Sequence, residues 1–365
     1  MSEICVLFGT NAVAYNIASA FSKSDYNVFT FIPKGESKVF CHSKFWGDVH
    51  KSRYKFDDDM LANDIIEHVK KGNLSGKILT FLANDQAVYF WIKYQDKLSK
   101  YLTVQIDNIE TFYNKNLFFK KLGDAEFCPK TWEVSEVGSF PCIVKPAYKD
   151  FDNKFYNKFK SKVRIAEGID ELDQFRDFDK GELVCQEVLD FDLGNEFSFW
   201  GYRGLDGEIV SFVGQHMNKY PDKTGRISHT KLVENSGIQK IGRTIMNNLN
   251  YVGILDVQII FDKNSKSYKV IEANPRLWCS HEVLLMNGIN LLQICANNFY
   301  EVKSAMPTAE LKGKEWFSSL YSIEHKRPLA KNTEFYALSS DNFLTKVWIG
   351  LYLKAKYLYY RIRKF

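Results

Sequence analysis

Short apolar runs alternate with amphipathic segments from the start of the chain. Ile4–Phe8 is an apolar run that ends at Gly9. From Ala12 to Phe21 the apolar positions recur at helical spacing, and Val28–Ile32 is a second apolar run. Strand, glycine, helix and strand in that order predict a parallel α/β unit. Helical spacing around Ile65–Val69, a strand over Lys77–Leu82 and a closing strand over Tyr101–Ile106 continue it. Asn84 and Asp85 follow the carboxyl end of the Lys77–Leu82 strand, where ligands bind in open parallel sheets. In Gly9-Thr10-Asn11-Ala12-Val13-Ala14 only one glycine of the dinucleotide fingerprint is present, so this unit reads as a structural lobe and not as a nicotinamide site.

Further along, the pattern changes character. Asn114–Leu122 predicts a helix, with Pro129 beyond it. Pro141–Pro146 predicts a short buried strand delivering Lys145, and Val184–Leu189 another strand carrying Glu187. Residues 150–163 are polar, aromatic and basic, and predict a mobile loop. Glu196–Gly201 and Ile209–Val213 read as antiparallel strands around Leu205-Asp206-Gly207. Ile238–Leu249 is helical in pattern, Ile254–Phe261 and Tyr268–Glu272 form a hairpin pattern, and Glu282–Tyr300 is helical again. Near the end, Leu344, Val347, Trp348, Leu351, Ala355, Leu358, Tyr359 and Ile362 fall on one helical stripe.

With 365 residues the chain predicts two or three domains, and 45% apolar with 25% charged residues is an ordinary globular balance. The amino terminus has no basic stretch followed by a long apolar one, and the longest apolar run, Val347–Leu353, falls short of the roughly 20 residues that span a bilayer. Seven scattered cysteines without a CxxC pair predict a cytoplasmic chain with neither a disulfide framework nor a structural zinc. The net charge of +5 belongs to the end of the chain: Asn342–Phe365 has six basic residues and no acid. The remainder is near neutral, so a nucleic-acid surface is not expected. The six basic residues lie off the apolar stripe. The stripe therefore predicts either a helix packed on the body or an amphipathic helix on an anionic membrane.

The pattern with most chemical content is Asp256-Val257-Gln258 together with Val270-Ile271-Glu272-Ala273-Asn274-Pro275-Arg276. Alternation puts Glu272 and Asn274 on one face of a strand, and a paired strand can bring Asp256 beside them. Two carboxylates and an amide oxygen make a hard oxygen site that suits Mg²⁺ carrying nucleotide phosphates. Arg276 follows at the strand end, where its fork can contact phosphoryl oxygens. Lys145 can act as a point charge for phosphate. Glu187, at the end of its strand, can present a carbonyl and a carboxylate to an adenine and a ribose. Taken singly, each of these residues also reads as an ordinary strand or surface side chain.

In order and spacing, these segments resemble the ATP-grasp superfamily, and within it the carboxylate–amine ligases related to D-aspartate ligase. The likeness runs from about Ala83 to Tyr300 through Asn114–Phe119, Ile143–Pro146, Gln186–Val188, Gly214–Pro221 before Gly225, and Val270–Arg276. It implies an α/β fold with α+β lobes: a Rossmann-like domain over 1–110, a two-lobed ATP-grasp fold over 111–190 and 191–310, and a C-terminal extension over 311–365 with a basic amphipathic helix. It implies ATP and Mg²⁺ as cofactors, with Mn²⁺ a substitute. Lys115 and Lys145 would contact the nucleotide phosphates, Glu187 and Val188 would hold adenine, and Glu196 would lie near ribose or phosphates. Asp256, Glu272 and Asn274 would be the metal ligands, with Arg276 stabilising the transferring phosphoryl group. The activity implied is ligation of a carboxylate to an amine through an acyl phosphate. Its expected partners are small molecules, glycan- or lipid-linked ones included, the inner face of a membrane through 343–365, and a second copy of the chain. A phosphotransferase and a non-catalytic nucleotide-binding protein are the alternatives. Three departures stand out. Tyr148–Lys162 has no glycine where most members carry a glycine-rich flap, and offers Lys149, Lys154, Lys158, Lys160 and Lys162 instead. His216 stands where the ligase branch often has lysine, and Gln258 where an acid is common.

Overall fold

A computed structural model describes residues 2–72, 77–148, 154–220, 226–303, 312–324 and 341–363. The first part is a five-stranded parallel sheet in the order β3-β2-β1-β4-β5. Its elements are β1 (Glu3–Leu7), α1 (Ala12–Ala20), β2 (Asn27–Ile32), β3 (Asp48–Lys51), α2 (Met60–Lys71), β4 (Ile78–Leu82), α3 (Asp85–Leu98) and β5 (Leu102–Thr103). β1, β2 and β4 are buried along almost their whole length, which is why they read as continuous apolar runs, whereas the edge strand β3 is not buried. The strand order reverses between β1 and β4, and α1 and α3 both start there. Asn11 and Asn84 cap them, each side-chain oxygen accepting from the backbone N–H three residues on.

The second sheet is antiparallel, in the order β6-β9-β7-β8. It is preceded by α4 (Ile109–Tyr113) and α5 (Lys115–Leu122), and consists of β6 (Thr131–Trp132), β7 (Cys142–Pro146), α6 (Lys154–Phe159), β8 (Arg164–Ala166) and β9 (Leu183–Glu187). The segment expected to be a loop over 150–163 thus contains a helix, α6. Phe155 is buried, and its ring and that of Phe159 pack on Phe175 and Phe178. Lys154 and Lys158 are tied to Glu182 and Asp177 at 2.7 and 2.6 Å. Lys149, Pro221 and Gly225 lie outside the described residues.

The third sheet has six antiparallel strands, in the order β14-β13-β10-β11-β12-β15. These are β10 (Glu196–Arg203), β11 (Ile209–Tyr220), β12 (Arg226–Val233), β13 (Gly253–Asp262), β14 (Ser267–Asn274) and β15 (Glu315–Phe317), with α7 (Ser236–Asn248) between β12 and β13. The edge strand β15 comes from beyond the expected lobe boundary at 310. The helical pattern over Glu282–Tyr300 is broken into α8 (Glu282–Met286) and α9 (Leu291–Phe299), because Gly288 takes a φ of +87° between them. After α10 (Ser319–Glu324), the chain ends in α11 (Phe343–Arg363).

One apolar cluster joins the first and third sheets. It contains Ile4 and Val6 of β1, Trp200 and Tyr202 of β10, Val283 and Leu284 of α8, and Ile349 and Leu353 of α11. Tyr300 ties the same parts together, accepting from Leu79 N–H at 3.1 Å and donating its hydroxyl to the Glu3 carbonyl. The C-terminal helix packs on the body, but through a face other than its apolar stripe. Its buried positions are Thr345, Ile349 and Leu353, spaced by four, and not the more apolar stripe through Leu344 and Leu351.

Candidate active site

The β13–β14 hairpin builds the acidic floor. Asp256 stands directly opposite Asn274, and Gln258 opposite Glu272, so alternation puts all four on one face. The register then slips, because Ile259 pairs with Val270 and leaves Ile271 as an extra residue on β14. Such a bulge frees a carbonyl from the ladder. The Ile271 carbonyl accepts from Lys145 Nζ at 3.4 Å.

The two lysines arrive from the second sheet and the helix before it. Asn114 caps α5, its side-chain oxygen accepting from the N–H groups of Asn116 and Leu117, which puts Lys115 at the first helical position. Lys115 N–H in turn donates to the Ala147 carbonyl at 3.0 Å, just beyond β7. β7 delivers Lys145. Lys115 Nζ lies 3.9 Å from Glu272 Oε2. Burial pushes the Lys145 ammonium down to about 8, the neighbouring Lys115 cation adds to this, and Glu272 opposes it. Two cations this close, one poorly hydrated, are short of negative charge. Burial works against ionisation of Glu272 as well, but the Lys115, Lys145 and Arg276 cations together hold its carboxyl below its ordinary range.

Asn274 joins the acids. Its Nδ2 donates to Asp256 Oδ2 at 3.1 Å and to Glu272 Oε1 at 3.4 Å, while its Oδ1 accepts from Arg276 Nη2 at 3.4 Å. The Asn274 side chain lies between the two carboxylates and Arg276. In this arrangement the amide supplies a donor to the two acids and an acceptor to the Arg276 fork. Asp256 is buried, and burial raises its carboxyl to about 6. Trp200 Nε1 donates to its other oxygen at 3.1 Å, and Ser198 also bonds it. The Trp200 ring stacks on Trp278 with centroids 5.0 Å apart, and it crosses β11 so closely that a Cβ at Gly214 would lie 2.2 Å from it. His216 continues the row: its Nε2 faces Ser198 Oγ at 2.9 Å and its Nδ1 faces Thr230 Oγ1 at 3.1 Å.

Arg276 crosses to the first sheet. Its Nε donates to Asp85 Oδ1 at 2.6 Å, in the first turn of α3, and Leu277 N–H donates to the Leu82 carbonyl at 3.3 Å. Of the strand-end pair, Asp85 therefore reaches the acidic floor through Arg276, while Asn84 caps α3.

The remaining expected residues stand elsewhere. Glu187 ends β9, and its carboxylate accepts from Lys130 N–H at 3.0 Å, so the side chain is already bonded to the chain. Val188 is exposed just beyond it. Glu196 is buried and paired with Lys219 at 2.6 Å, two same-face positions along β10 from Trp200. Sequence reasoning missed Trp200, Ser198, Lys219 and Lys130. Only the alternation Glu196, Ser198, Trp200 along β10 hinted at them, and it does not say which strand pairs beside it.

The donor set fits Mg²⁺. Two carboxylates converge on one small donor, the Asn274 amide, as they would on a hard cation, and rotating that amide would add a third oxygen. Among the described residues, no group of three or more His, Cys, Asp or Glu side chains could hold a metal.

No protein-family model and no curated protein matches the chain in sequence. Solved structures do match in fold. N5-carboxyaminoimidazole synthetase from Staphylococcus aureus, complexed with ADP, superposes with a TM-score of 0.61 at 16% identity, over 85% of this chain and 80% of that one. The biotin carboxylase domain dimer of the Hydrogenobacter thermophilus 2-oxoglutarate carboxylase, in complex with MgADP and bicarbonate, gives 0.62 at 12% identity over 85% and 72%. Rhizobium etli pyruvate carboxylase gives 0.62 at 12% identity, where the match covers 84% of this chain and 29% of that much longer one. The chain thus has the ATP-grasp fold.

Proposed function

We propose that this chain is an ATP- and Mg²⁺-dependent ligase that joins a carboxylate to an amine. The observation that carries the reading is the convergence of Asp256, Glu272 and Asn274 on one floor, faced by Lys115 and Lys145 and rimmed by Arg276. A dense set of cations around an oxygen-rich floor suits nucleotide phosphates with their divalent ion. The same fold occurs in structures solved with ADP and with MgADP.

When bound, Mg²⁺ would neutralise phosphate charge at Asp256, Glu272 and the Asn274 amide. Lys115 and Lys145 hold two positive charges toward the same space and would bind the phosphates of ATP. The hinge after β9, from Glu187 to Val188, would meet the adenine through its backbone, since the Glu187 carboxylate is already bonded to Lys130 N–H. Glu196, neutralised by Lys219, would sit on the ribose side. The substrate carboxylate attacks the γ-phosphorus of ATP, the bond to the β-phosphate oxygen breaks, and ADP leaves. Arg276, fixed by Asp85, would stabilise the charge on the transferring phosphoryl group. The acyl phosphate is then attacked by an amine, giving an amide, inorganic phosphate and a proton. Positioning and electrostatics supply the acceleration in such a site. On this reading the substrates are an amino acid or a sugar acid of a cell-surface glycan or envelope precursor, and Mn²⁺ can replace Mg²⁺. A homodimer, the state of the 2-oxoglutarate carboxylase domain, fits the same reading.

The test is ADP release from Mg-ATP over a panel of carboxylates and amines, with products weighed by mass spectrometry. Amine-dependent ADP release and a mass gain equal to condensation are expected. A phosphorylated product that forms without any amine would replace the ligase with a phosphotransferase. Glu272→Gln should lower turnover by more than about 10²-fold, the scale of losing one electrostatic contact to a transition state, in a chain that still folds and unfolds cooperatively. A Glu272→Gln enzyme at the wild-type rate would remove the metal assignment.

A further inference from the structure

The C-terminal helix is covered on one side and largely exposed on the other, where Trp348 stacks on His42 with ring centroids 6.1 Å apart. Its start is fixed to the first domain: the Asp341 carboxylate accepts from Ser43 Oγ at 2.7 Å and from Lys44 N–H at 3.1 Å, and Asn342 caps the helix by accepting from Thr345 N–H at 2.8 Å. Thr345, Ile349 and Leu353 are buried, and Tyr352 meets Phe40 edge to face. The opposite side carries Leu344, Val347, Trp348, Leu351 and Leu358, which at 100° per residue share one face; Leu344, Leu351 and Leu358 are 63%, 56% and 59% exposed. Lys346 and Lys354 are exposed outside this apolar strip, and no acid occurs from Asn342 to the end of the chain.

An apolar strip this continuous, on a helix already anchored by its other side, is not needed for folding. We propose that this face of α11 lies on an anionic lipid surface, with the leucines in the interfacial layer and Lys354, which borders the strip, at the headgroups. Two observations select this occupant. The helix has 21 residues, yet no described helix is long and apolar enough to cross a membrane, which fits a helix lying in the surface. The charge around the strip is uniformly positive, which matches anionic headgroups. A second copy of the chain fits less well, because a twofold interface over this face would set the same lysines against each other. The inference does not depend on the chemistry of the active site.

The experiment is co-sedimentation of the full chain with vesicles of phosphatidylglycerol and phosphatidylcholine, and with phosphatidylcholine alone. Binding to the anionic vesicles that weakens with salt is expected. Leu351→Glu with Leu358→Glu should weaken it by about tenfold or more, and Lys354→Glu should weaken it further at low salt. Leu351, Leu358 and Lys354 lie away from the docked side, so melting temperatures should stay at the wild-type value. Three results would overturn the proposal. One is no binding to anionic vesicles at low salt. Another is binding indifferent to the leucine substitutions. The third is a concentration-dependent dimer in sedimentation velocity that the leucine substitutions dissolve, which would show that a second copy covers the face.

Discussion

Asp256 depends on neighbours from another strand. Its carboxylate is buried, and it is held in place by the Trp200 indole N–H, Ser198 and the Asn274 amide. Trp200→Phe keeps an aromatic ring over Trp278 but leaves one carboxylate oxygen without its donor. That should cost about 1–3 kcal/mol of stability in chemical denaturation, the usual penalty for an unpaired buried acceptor. Gly214→Ala should cost a similar amount by forcing the same ring aside. If Trp200→Phe is as stable as wild type, the indole contact does not hold Asp256. The acids themselves were legible because strand alternation is local: Glu272 and Asn274 are two apart. Trp200 and Ser198 were not, because their place beside Asp256 comes from the register of β10 on β13, more than fifty residues away in sequence. Two buried histidines give a further prediction at this scale. Burial, with the Lys219 cation adding, lowers His216 to about 3; burial, against its bond to the Trp278 carbonyl, lowers His281 to about 4. Their ordinary value is 6.5, so between 6.5 and these lower values the unfolded chain takes up protons that the folded chain refuses. Stability should therefore fall on acidification below pH 6.5, by up to about 1.4 kcal/mol per pH unit for each histidine. His216→Gln should flatten the slope by its share in melts from pH 7.5 to 5. An unchanged slope would mean His216 does not titrate this way.

At the scale of elements, the chain discloses its apolar stripes more readily than it discloses which of them is buried. On α11 the stripe through Leu344 and Leu351 is the more apolar, yet Thr345, Ile349 and Leu353 meet the body. Docking was decided by complementarity to Phe40 and its neighbours, which no periodicity within the helix encodes. The basic segment after β7 shows the opposite failure. Six residues are too few to display a helical period, and the alternation of Lys with Phe and Tyr reads as a loop. The Phe side chains instead face inward on Phe175 and Phe178, while the lysines pair outward with Glu182 and Asp177. Packing thus holds α6 against the face of the second sheet that carries Cys142 and Val144. Phe155→Ala should cost about 3–5 kcal/mol, as large core truncations do. Because α6 is small, the loss should appear first as faster hydrogen exchange and proteolysis within 154–166. Uniform destabilisation, with no local change in exchange, would contradict an element held on by its own cluster.

For the whole molecule, the order of motifs along the chain foretold the architecture. A strand–helix start predicts a parallel sheet, and antiparallel hairpins carrying acids predict a separate site-bearing sheet. What it did not foretell is how the two meet. The contact lies at the reversal point of the first sheet, where Asn11 and Asp85 open α1 and α3 and where Arg276 arrives from the end of β14. Arg276 has one nitrogen on Asp85 and another on Asn274 Oδ1, so a residue of the first domain sets the position of a side chain at the acidic floor. Asp85 is a positioning residue on this view, and its removal has a distinct signature. Asp85→Ala leaves both lysines and both acids in place, so the KM for ATP should change little. The guanidinium would lose its strongest partner and no longer be fixed toward the reacting phosphoryl group. Loss of orientation on that scale lowers kcat by about 10- to 100-fold. Stability should also fall by about 1–3 kcal/mol, and a double-mutant cycle with Arg276→Ala should return most of that as coupling, because the two side chains share one short ion pair. A kcat unaffected by Asp85→Ala would show that the first domain holds Arg276 without steering it. A rise in KM for ATP with kcat intact would show that Arg276 serves to bind the nucleotide instead of stabilising the transfer.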